Sequence, residues 1–558
     1  MANFLENVFS QLQKAADRVV LREVRGQEFY SVTGNQLLEQ VRNARAYVRR
    51  SGMQPGDRCA ILGPNSVAWA AIDLALMAEG VIVVPLYSRQ APAELAVMMR
   101  DSTPRFLLVS EASLGEGVAQ VWPDAPPRVL FEEALRTSVD STNLPTAPIS
   151  RNEDDLVAII YTSGTSGEPK GVCLNFKNLN FMLDCTTGWM DRLEKNPREP
   201  MRVFQYLPFN FAASWIVVMS CLSRETTLTL STDLNRVADE ILLTAPNYFF
   251  NVPTLLERVK RGVEEAIDKR DSAIRAIYRN ACAAWKRSQS SEGRWTDGFR
   301  LFLGQRLIFG KIRGRFGTHL RGLVCGSAPL SPDTQDFFAM LGIPIWQVYG
   351  LTETCGICTM DNPRITSEPG RVGQSLPGIE MTVGENEEIL VRGPNIFPGY
   401  WNRPEETANV LKDGWFHSGD QGEVNSRGNW RISGRIKNLI ILNSGHNIAP
   451  EPIEEKIAEQ LTGAQQVVVV GNGRGYLCAL VTGTVEAKST QAALDAVNSE
   501  LPHYRQVRNF VTLPQPFTPE SGLLTANGKI RRDAINARYR EEIDSMYEKN
   551  AVAAGGNR

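Results

Sequence analysis

Between residues 161 and 172 the sequence reads Tyr-Thr-Ser-Gly-Thr-Ser-Gly-Glu-Pro-Lys-Gly-Val. Directly before it, Leu156-Val-Ala-Ile-Ile is a continuous apolar run of the kind a buried strand shows. Gly164, Gly167 and Gly171 let successive backbone N–H groups turn toward one point. The hydroxyls of Thr162, Ser163, Thr165 and Ser166 add donors there, and Lys170 adds a cation. Such a concavity binds anionic oxygens, phosphate above all. It is not a Walker A loop, because counting from Gly164 puts Pro169 at the second glycine and Gly171 at the Mg²⁺-holding hydroxyl. A flexible surface loop is the plain alternative. A linker, however, has no need of two Thr-Ser-Gly steps followed by Pro-Lys-Gly directly after a core strand.

Further stretches add chemistry in order along the chain. Gly322-Leu-Val-Cys-Gly-Ser-Ala-Pro reads as a strand ending in small residues, and Gly326, Ser327 and Ala328 offer flat backbone that suits one face of a purine. Val348-Tyr-Gly-Leu-Thr-Glu-Thr follows, in which Tyr349 can supply the other face. Trp415-Phe-His-Ser-Gly-Asp, Gly434-Arg-Ile-Lys and Leu524-Thr-Ala-Asn-Gly-Lys-Ile complete the series.

Together these stretches resemble the adenylate-forming enzymes: acyl- and aryl-CoA synthetases, peptide-synthetase adenylation domains and luciferases. The resemblance covers nearly the whole chain and looks closest to bacterial long-chain acyl-CoA synthetases. It implies that Thr162–Gly167 and Lys170 cradle ATP phosphates, and that Gly326, Ser327, Ala328, Tyr349 and Gly350 enclose adenine. Thr352 then bonds the α-phosphate and Glu353 holds Mg²⁺. A carboxylate beside a triphosphate repels it unless a divalent cation bridges the two. Asp420 matches the aspartate that accepts both ribose hydroxyls, a task suited to an acceptor-only group. Arg435 reaches ribose and phosphate, Lys437 is the hinge, Gly445 edges the CoA channel, and Lys529 is the catalytic lysine of adenylation. His417 receives no role. The implied reaction uses ATP and Mg²⁺ to form acyl-AMP and passes the acyl group to CoA.

The alternatives are an acyl-AMP ligase serving a carrier protein, an aryl-CoA synthetase and, from another class, a catalytically silent nucleotide sensor. Thr352, Glu353, Asp420, Arg435 and Lys529 occurring together argue against the sensor.

Length and composition set the frame. At 558 residues the chain is too long for one core. A net charge of −2 argues against a nucleic-acid partner. Nine scattered cysteines, with one Cys-x-x-Cys at Cys355–Cys358, read as reduced thiols in the cytoplasm rather than a disulfide framework or a zinc site. Neither a signal peptide nor a membrane-spanning run is evident.

The elements that must position these residues alternate early in the chain. A helical pattern at 32–48 precedes strand patterns at 58–62 and 81–85 that flank a helix at 66–79, and a further strand pattern follows at 106–109; this alternation indicates a mainly parallel sheet. Short alternating strands at 388–392 and 429–432 suggest a small β-subdomain. The fold class is therefore α/β, with a multi-subdomain N-terminal domain over 1–434, a hinge at 435–437 and a small, mobile α+β C-terminal domain over 438–558.

Residues 206–215 read as an apolar strand entering a turn and helix. By resemblance they line the acyl pocket through Phe209, Phe211 and Trp215. Phe211 stands where long-chain members commonly carry histidine. Ala212 stands where amino-acid-activating members carry aspartate, and a buried ammonium without a carboxylate is costly, so amino-acid substrates are disfavoured. Residues 257–321 hold sixteen Lys/Arg against seven Asp/Glu. Within them Ile274, Ile277, Tyr278, Ala281 and Trp285 fall at helical spacing. That basic amphipathic helix either contacts a membrane surface or packs on its own domain.

Overall fold

The computed structural model describes residues 3–136, 144–163, 168–193, 200–290, 292–317, 319–365, 367–461, 463–519, 521–525 and 528–554. It is a mixed α/β structure with two compact units. One comprises Met1–Met381, Val391–Phe416 and Asn425–Trp430; the other comprises Thr382–Leu390, His417–Val424 and Arg431–Arg558.

The first unit contains two large sheets. A six-stranded sheet runs in the spatial order Arg128–Leu130, Phe106–Val109, Arg58–Leu62, Ile82–Leu86, Leu156–Ser163, Pro169–Asn175. Every pair in it is parallel except the last. Its inner strands are near-continuous Val, Ile, Leu and Ala because both faces are covered. The helix Val67–Ala78 is buried at every position except Ala68 and starts at Ser66, whose Oγ accepts the Trp69 N–H at 3.1 Å. A nine-stranded sheet is parallel through its middle, from Ile345–Tyr349 across Leu323–Cys325, Tyr248–Asn251, Met201–Gln205 and Thr226–Leu230 to Val19–Arg25. Antiparallel strands close both of its edges.

The structure corrects two expectations and decides between the two readings of the basic helix. Residues 206–215 are not a strand: the strand is Met201–Gln205, and the chain turns before the helix Ala212–Leu222. A continuous apolar run does not distinguish a strand from a buried helix, and this one spans the turn between the two. The strand near 322–329 covers only Leu323–Cys325. The basic helix, Ser272–Gln289, turns Tyr278, Ala281 and Ala284 inward and half-buries Trp285, so its apolar face packs on its own unit.

In the second unit the strands Ala464–Val470, Leu477–Gly483 and Val507–Leu513 form a three-stranded sheet. Its two faces are covered by separate apolar clusters, one built with Ile453, Ile457 and Leu494, the other with Phe517, Ile535 and Met546. Glu454, buried in Glu451–Gln460, accepts the Val469 N–H at 2.7 Å and Arg532 Nη2 at 2.6 Å, which fastens that helix to the sheet. Residues 388–390, His417–Val424 and 431–435 lie side by side as further strands of this unit.

Candidate active site

In the first unit the strand Leu156–Ser163 pairs antiparallel with Pro169–Asn175, the two strands that flank the Gly- and Ser-rich stretch. Thr162 pairs with Lys170 and Tyr161 with Gly171. Gly164, Thr165, Ser166 and Gly167 lie outside the described residues. Gly171 is required by packing: a Cβ there would meet Ile159 Cγ2 at 2.7 Å and Trp401 Cβ at 3.3 Å. Its carbonyl accepts the Trp401 N–H at 2.7 Å, and the Cys173 N–H donates to Gly399 O at 3.1 Å. The segment 397–401 is thereby laced along the returning strand.

That lacing brings Tyr400 to the centre of the site. Its phenol donates to Glu353 Oε1 at 2.8 Å, while Lys170 Nζ stands 5.3 Å from the centroid of its ring. One side chain therefore joins the cation of the hairpin to the carboxylate expected to hold the metal. Glu353 belongs to a single 3₁₀ turn, Thr352–Thr354. Thr354 Oγ1 accepts the Leu351 N–H at 2.9 Å, the Thr354 carbonyl accepts Asn395 Nδ2 at 3.2 Å, and the Glu353 carbonyl accepts the Phe397 N–H at 2.9 Å. Thr352 and Glu353 are half-buried.

The residues expected to enclose adenine follow two neighbouring strands of the nine-stranded sheet. Leu323–Cys325 and Ile345–Tyr349 are parallel neighbours, with Cys325 beside Gln347, so Gly326–Ala328 and Tyr349–Gly350 both follow strand C-terminal ends. Such ends are where open α/β sheets place ligands. Gly326 admits no side chain, since a Cβ would lie 2.5 Å from Val348 Cγ2. Ser327 has φ of +76°. Ala328 is exposed, and Tyr349 and Gly350 are half-exposed.

Of the acyl candidates, Phe209 and Trp215 are buried in the unit, and Phe211 is half-exposed at the head of Ala212–Leu222. Phe209 makes an edge contact with Trp69 at 5.0 Å. Trp215 Nε1 donates to Asp73 Oδ2 at 2.7 Å. Asp73 is fully buried, and burial pushes its carboxyl up to about 7 against the Trp215 bond that lowers it. A Cβ at Gly356 (φ +101°) would meet Ile216 Cδ1 at 3.0 Å, so this helix abuts the chain just beyond the Glu353 turn.

In the second unit Arg435 Nε reaches Asp420 Oδ1 at 2.7 Å, which brings two of the expected nucleotide-binding residues together. Asp420 is buried, and its N–H donates to Ser418 Oγ at 3.1 Å. Gly419 supplies the left-handed φ of +68° that turns the chain there. Glu388 shapes this turn: Oε1 accepts the Gly419 N–H at 2.9 Å, and Oε2 lies 2.9 Å from His417 Nδ1. Lys437 is exposed in the 3₁₀ turn Ile436–Asn438. Gly445 sits in the tight turn joining Ile440–Ile441 to Asn447–Ile448 at φ +82°, with open space where a Cβ would be, so backbone conformation alone accounts for glycine. Lys529 is exposed on a hairpin closed by a Leu524–Ile530 bridge. Its N–H donates to Thr525 Oγ1 at 3.1 Å and its carbonyl accepts the Thr525 N–H at 2.8 Å.

Residues 8–401 match the AMP-binding enzyme family, and residues 437–551 match the AMP-binding enzyme C-terminal domain. The chain belongs to the AMP-binding enzyme family. It is 27% identical to a long-chain-fatty-acid–CoA ligase of Mycobacterium bovis, over 98% of this chain and 97% of that protein. It is 24% identical to a long-chain-fatty-acid–CoA ligase of Mus musculus, over 96% and 92% respectively. Among solved structures, the A domain of a carboxylic acid reductase from Segniliparus rugosus shares the fold with a TM-score of 0.75, at 21% identity over 98% of this chain and 94% of that one. An O-succinylbenzoate coenzyme A synthetase from Bacillus subtilis in complex with AMP does so with 0.73, at 19% identity over 95% and 97%.

Within this AMP-binding enzyme, the donor set at Glu353 fits a magnesium ion shared with phosphates. It is one hard carboxylate oriented by a phenol, and among the described residues no group of three or more His, Cys, Asp or Glu forms a protein-only cage. Cys355 and Cys358 are buried free thiols, and burial raises the Cys355 thiol far above its ordinary value, which keeps it protonated and inert.

Sequence reasoning missed Tyr400 and Glu388. Pro398-Gly-Tyr-Trp is a visible aromatic turn signal, but nothing in it points to Glu353, which is close only in the folded chain. Glu388 lies inside a correctly read strand and carries no signal of its own.

Proposed function

We propose that this protein is an AMP-forming acyl-CoA synthetase acting on medium- or long-chain fatty acids. The observation that carries the reading is the Lys170–Tyr400–Glu353 joint, in which the cation of the hairpin stands 5.3 Å from a ring whose phenol donates to the carboxylate at 2.8 Å. The long-chain ligases to which the chain is similar along nearly its full length support the acid.

In the first half-reaction a carboxylate oxygen of the acid attacks the α-phosphorus of ATP. The bond to the β-phosphate bridging oxygen breaks, and pyrophosphate leaves with that electron pair. Thr352 donates to an α-phosphate oxygen, Lys170 holds the outer phosphates, and Tyr400 keeps Glu353 aimed. Mg²⁺ held by Glu353 supplies charge neutralisation of the triphosphate. Tyr349 and Gly326–Ala328 hold adenine, and Asp420 with Arg435 holds the ribose. Lys529 offsets the negative charge that gathers between carboxylate and phosphate, so catalysis is positioning and charge placement.

In the second half-reaction the CoA thiolate sulfur attacks the acyl carbonyl carbon, the bond to the AMP oxygen breaks, and AMP leaves. Lys529 has no task in that step. The C-terminal segment 438–558 therefore turns about Lys437, and Gly445 comes to edge the pantetheine path.

The test is ATP–pyrophosphate exchange over a panel of acids, followed by product analysis with CoA. Exchange that rises with alkyl chain length and yields acyl-CoA and AMP is expected. Adenylate that accumulates until a carrier protein is supplied would replace CoA as acceptor. Absence of exchange with every acid would contradict an enzyme and favour the nucleotide sensor.

A further inference from the structure

The first unit exposes an aromatic stripe that its own fold leaves uncovered. Trp295, Phe299 and Phe302 are 96%, 65% and 62% exposed, and Leu307 continues the patch at 40%. The aromatics recur at i, i+4 and i+7, one face of a helix. They lie on and just before Asp297–Gly304, which passes into a π-helical turn over Gln305–Phe309.

The opposite face of this helix is locked. Asp297 is buried and accepts Arg287 at both oxygens, at 2.5 and 3.0 Å, together with the Arg294 N–H at 2.9 Å. Gly304 meets the helix Ser272–Gln289 so closely that a Cβ would lie 2.6 Å from Ala281 Cβ. Phe309 is fully buried, edge-on to Tyr278. The helix therefore cannot roll to hide Phe299 and Phe302 without breaking a bidentate ion pair between half-buried Arg287 and buried Asp297.

Cations are interleaved with the stripe along the chain and follow it. Between residues 294 and 315 stand Arg294, Arg300, Arg306, Lys311, Arg313 and Arg315 against Asp297 alone, six charges against one. All six cations are exposed except Arg300, which is half-exposed.

We propose that this stripe is a docking surface for an anionic lipid bilayer, with the aromatic rings entering the headgroup boundary and the arginines meeting lipid phosphates. Charge and area both disfavour a second copy of the chain. An isologous contact would press the same cationic surface against itself. Aromatic side chains offer about 150–250 Å² each, so three rings fall short of the roughly 800 Å² per partner of a stable dimer. The physiological sense of docking rests on the fatty-acid reading above, because such acids partition into bilayers. Docking itself does not depend on that reading.

The test is flotation of the full chain with phosphatidylglycerol/phosphatidylcholine vesicles and with phosphatidylcholine alone, at low and at physiological salt. The protein is expected to float with the anionic vesicles, less so as salt rises. Trp295→Ser/Phe299→Ser/Phe302→Ser together should lower the bound fraction at least tenfold, and Arg294→Gln/Arg306→Gln should remove most of the preference for anionic lipid. Pyrophosphate exchange with acid dispersed in detergent should be unchanged in the triple-serine chain, while exchange with acid delivered in vesicles should fall in step with flotation. Unaltered flotation of the triple-serine chain overturns the proposal. So does a dimer by light scattering that the same substitutions convert to monomer, or a nucleic-acid shift that they abolish while vesicles are not bound. Failure of the wild-type chain to exchange pyrophosphate with any acid would remove the fatty-acid reading, and flotation would still decide the docking surface.

Discussion

The two lysines assigned to phosphate chemistry live in opposite surroundings. Lys170 is half-buried on a strand of a six-stranded sheet, held over Tyr400, whose phenol is bonded to Glu353. Lys529 is exposed on a small hairpin, with its backbone tied to Thr525. The first arrangement is preassembled. Its groups are fixed by cross-strand pairing and by three backbone bonds between segments distant in sequence, so their geometry is set by the fold itself. The second presents one cation at the end of a long side chain on a loop, which suits a group needed in one step and in the way during the next. On the proposed function, the contrast assigns binding and catalysis to different kinds of backbone in this chain.

The largest effect expected from this contrast is at Lys529. Lys529→Ala should slow acyl-AMP formation by about 10²–10³, the usual loss for one preorganised charge donor. Pyrophosphate exchange measures it, and an effect under tenfold would place the charge stabilisation with Lys170 instead. Next comes the joint. Tyr400→Phe keeps the ring beside Lys170 and removes the bond to Glu353. The Mg²⁺ concentration for half-maximal exchange should rise about 10–100-fold, as for other supports of a metal ligand. An unchanged Mg²⁺ requirement would mean that the phenol is merely structural.

A third prediction probes the rigidity of the first unit through pH. Burial raises the Asp73 carboxyl from 3.8 to about 7, so between those values the folded chain holds a proton that the unfolded chain has released. Stability contributed at this position is therefore present below about pH 4 and is lost as pH climbs toward 7, with a slope that approaches about 1.4 kcal/mol for each step of one in pH. Asp73→Asn keeps an oxygen for the Trp215 N–H and removes the titration. Urea midpoints at pH 5 and pH 8 should move closer together in this chain than in the wild type. The smallest effect belongs to the hairpin: Thr525→Val deletes the Oγ1 acceptor of the Lys529 N–H, about 1 kcal/mol. Exchange should slow by a few-fold, with thioester formation from supplied acyl-AMP unchanged.

Much of this molecule was legible in its sequence, and the exceptions share a cause. The strands 106–109 and 388–392 emerged with the expected bounds, because short apolar or alternating runs between turn residues admit few other readings. The hairpin carrying Lys170 was half-legible: the incoming strand is a continuous apolar run, but the return strand begins with Pro-Lys-Gly, which reads as loop. Residues 206–215 misled because an apolar run has no period to separate strand from buried helix. Phe299 and Phe302 would pass for core in any sequence reading, and only the fold shows that the Asp297–Arg287 pair turns them outward. Asp420 and Arg435 were singled out separately by resemblance, and their ion pair was not visible before folding. Tyr400 illustrates the limit most clearly, since its importance arises from contacts with Glu353 and Lys170 that no local pattern encodes.

On the proposed function the preassembled joint and the lysine on the hairpin both serve acyl-AMP formation, the first by binding and the second by charge placement, and Lys529 has no task in thioester formation. The most direct measurement compares, in Lys529→Ala, the rate of pyrophosphate exchange with the rate of thioester formation from supplied acyl-AMP and CoA. Loss of the first by about two to three orders of magnitude is expected, with retention of the second near the wild-type rate. Equal loss of both activities in a folded Lys529→Ala chain would contradict this division of labour.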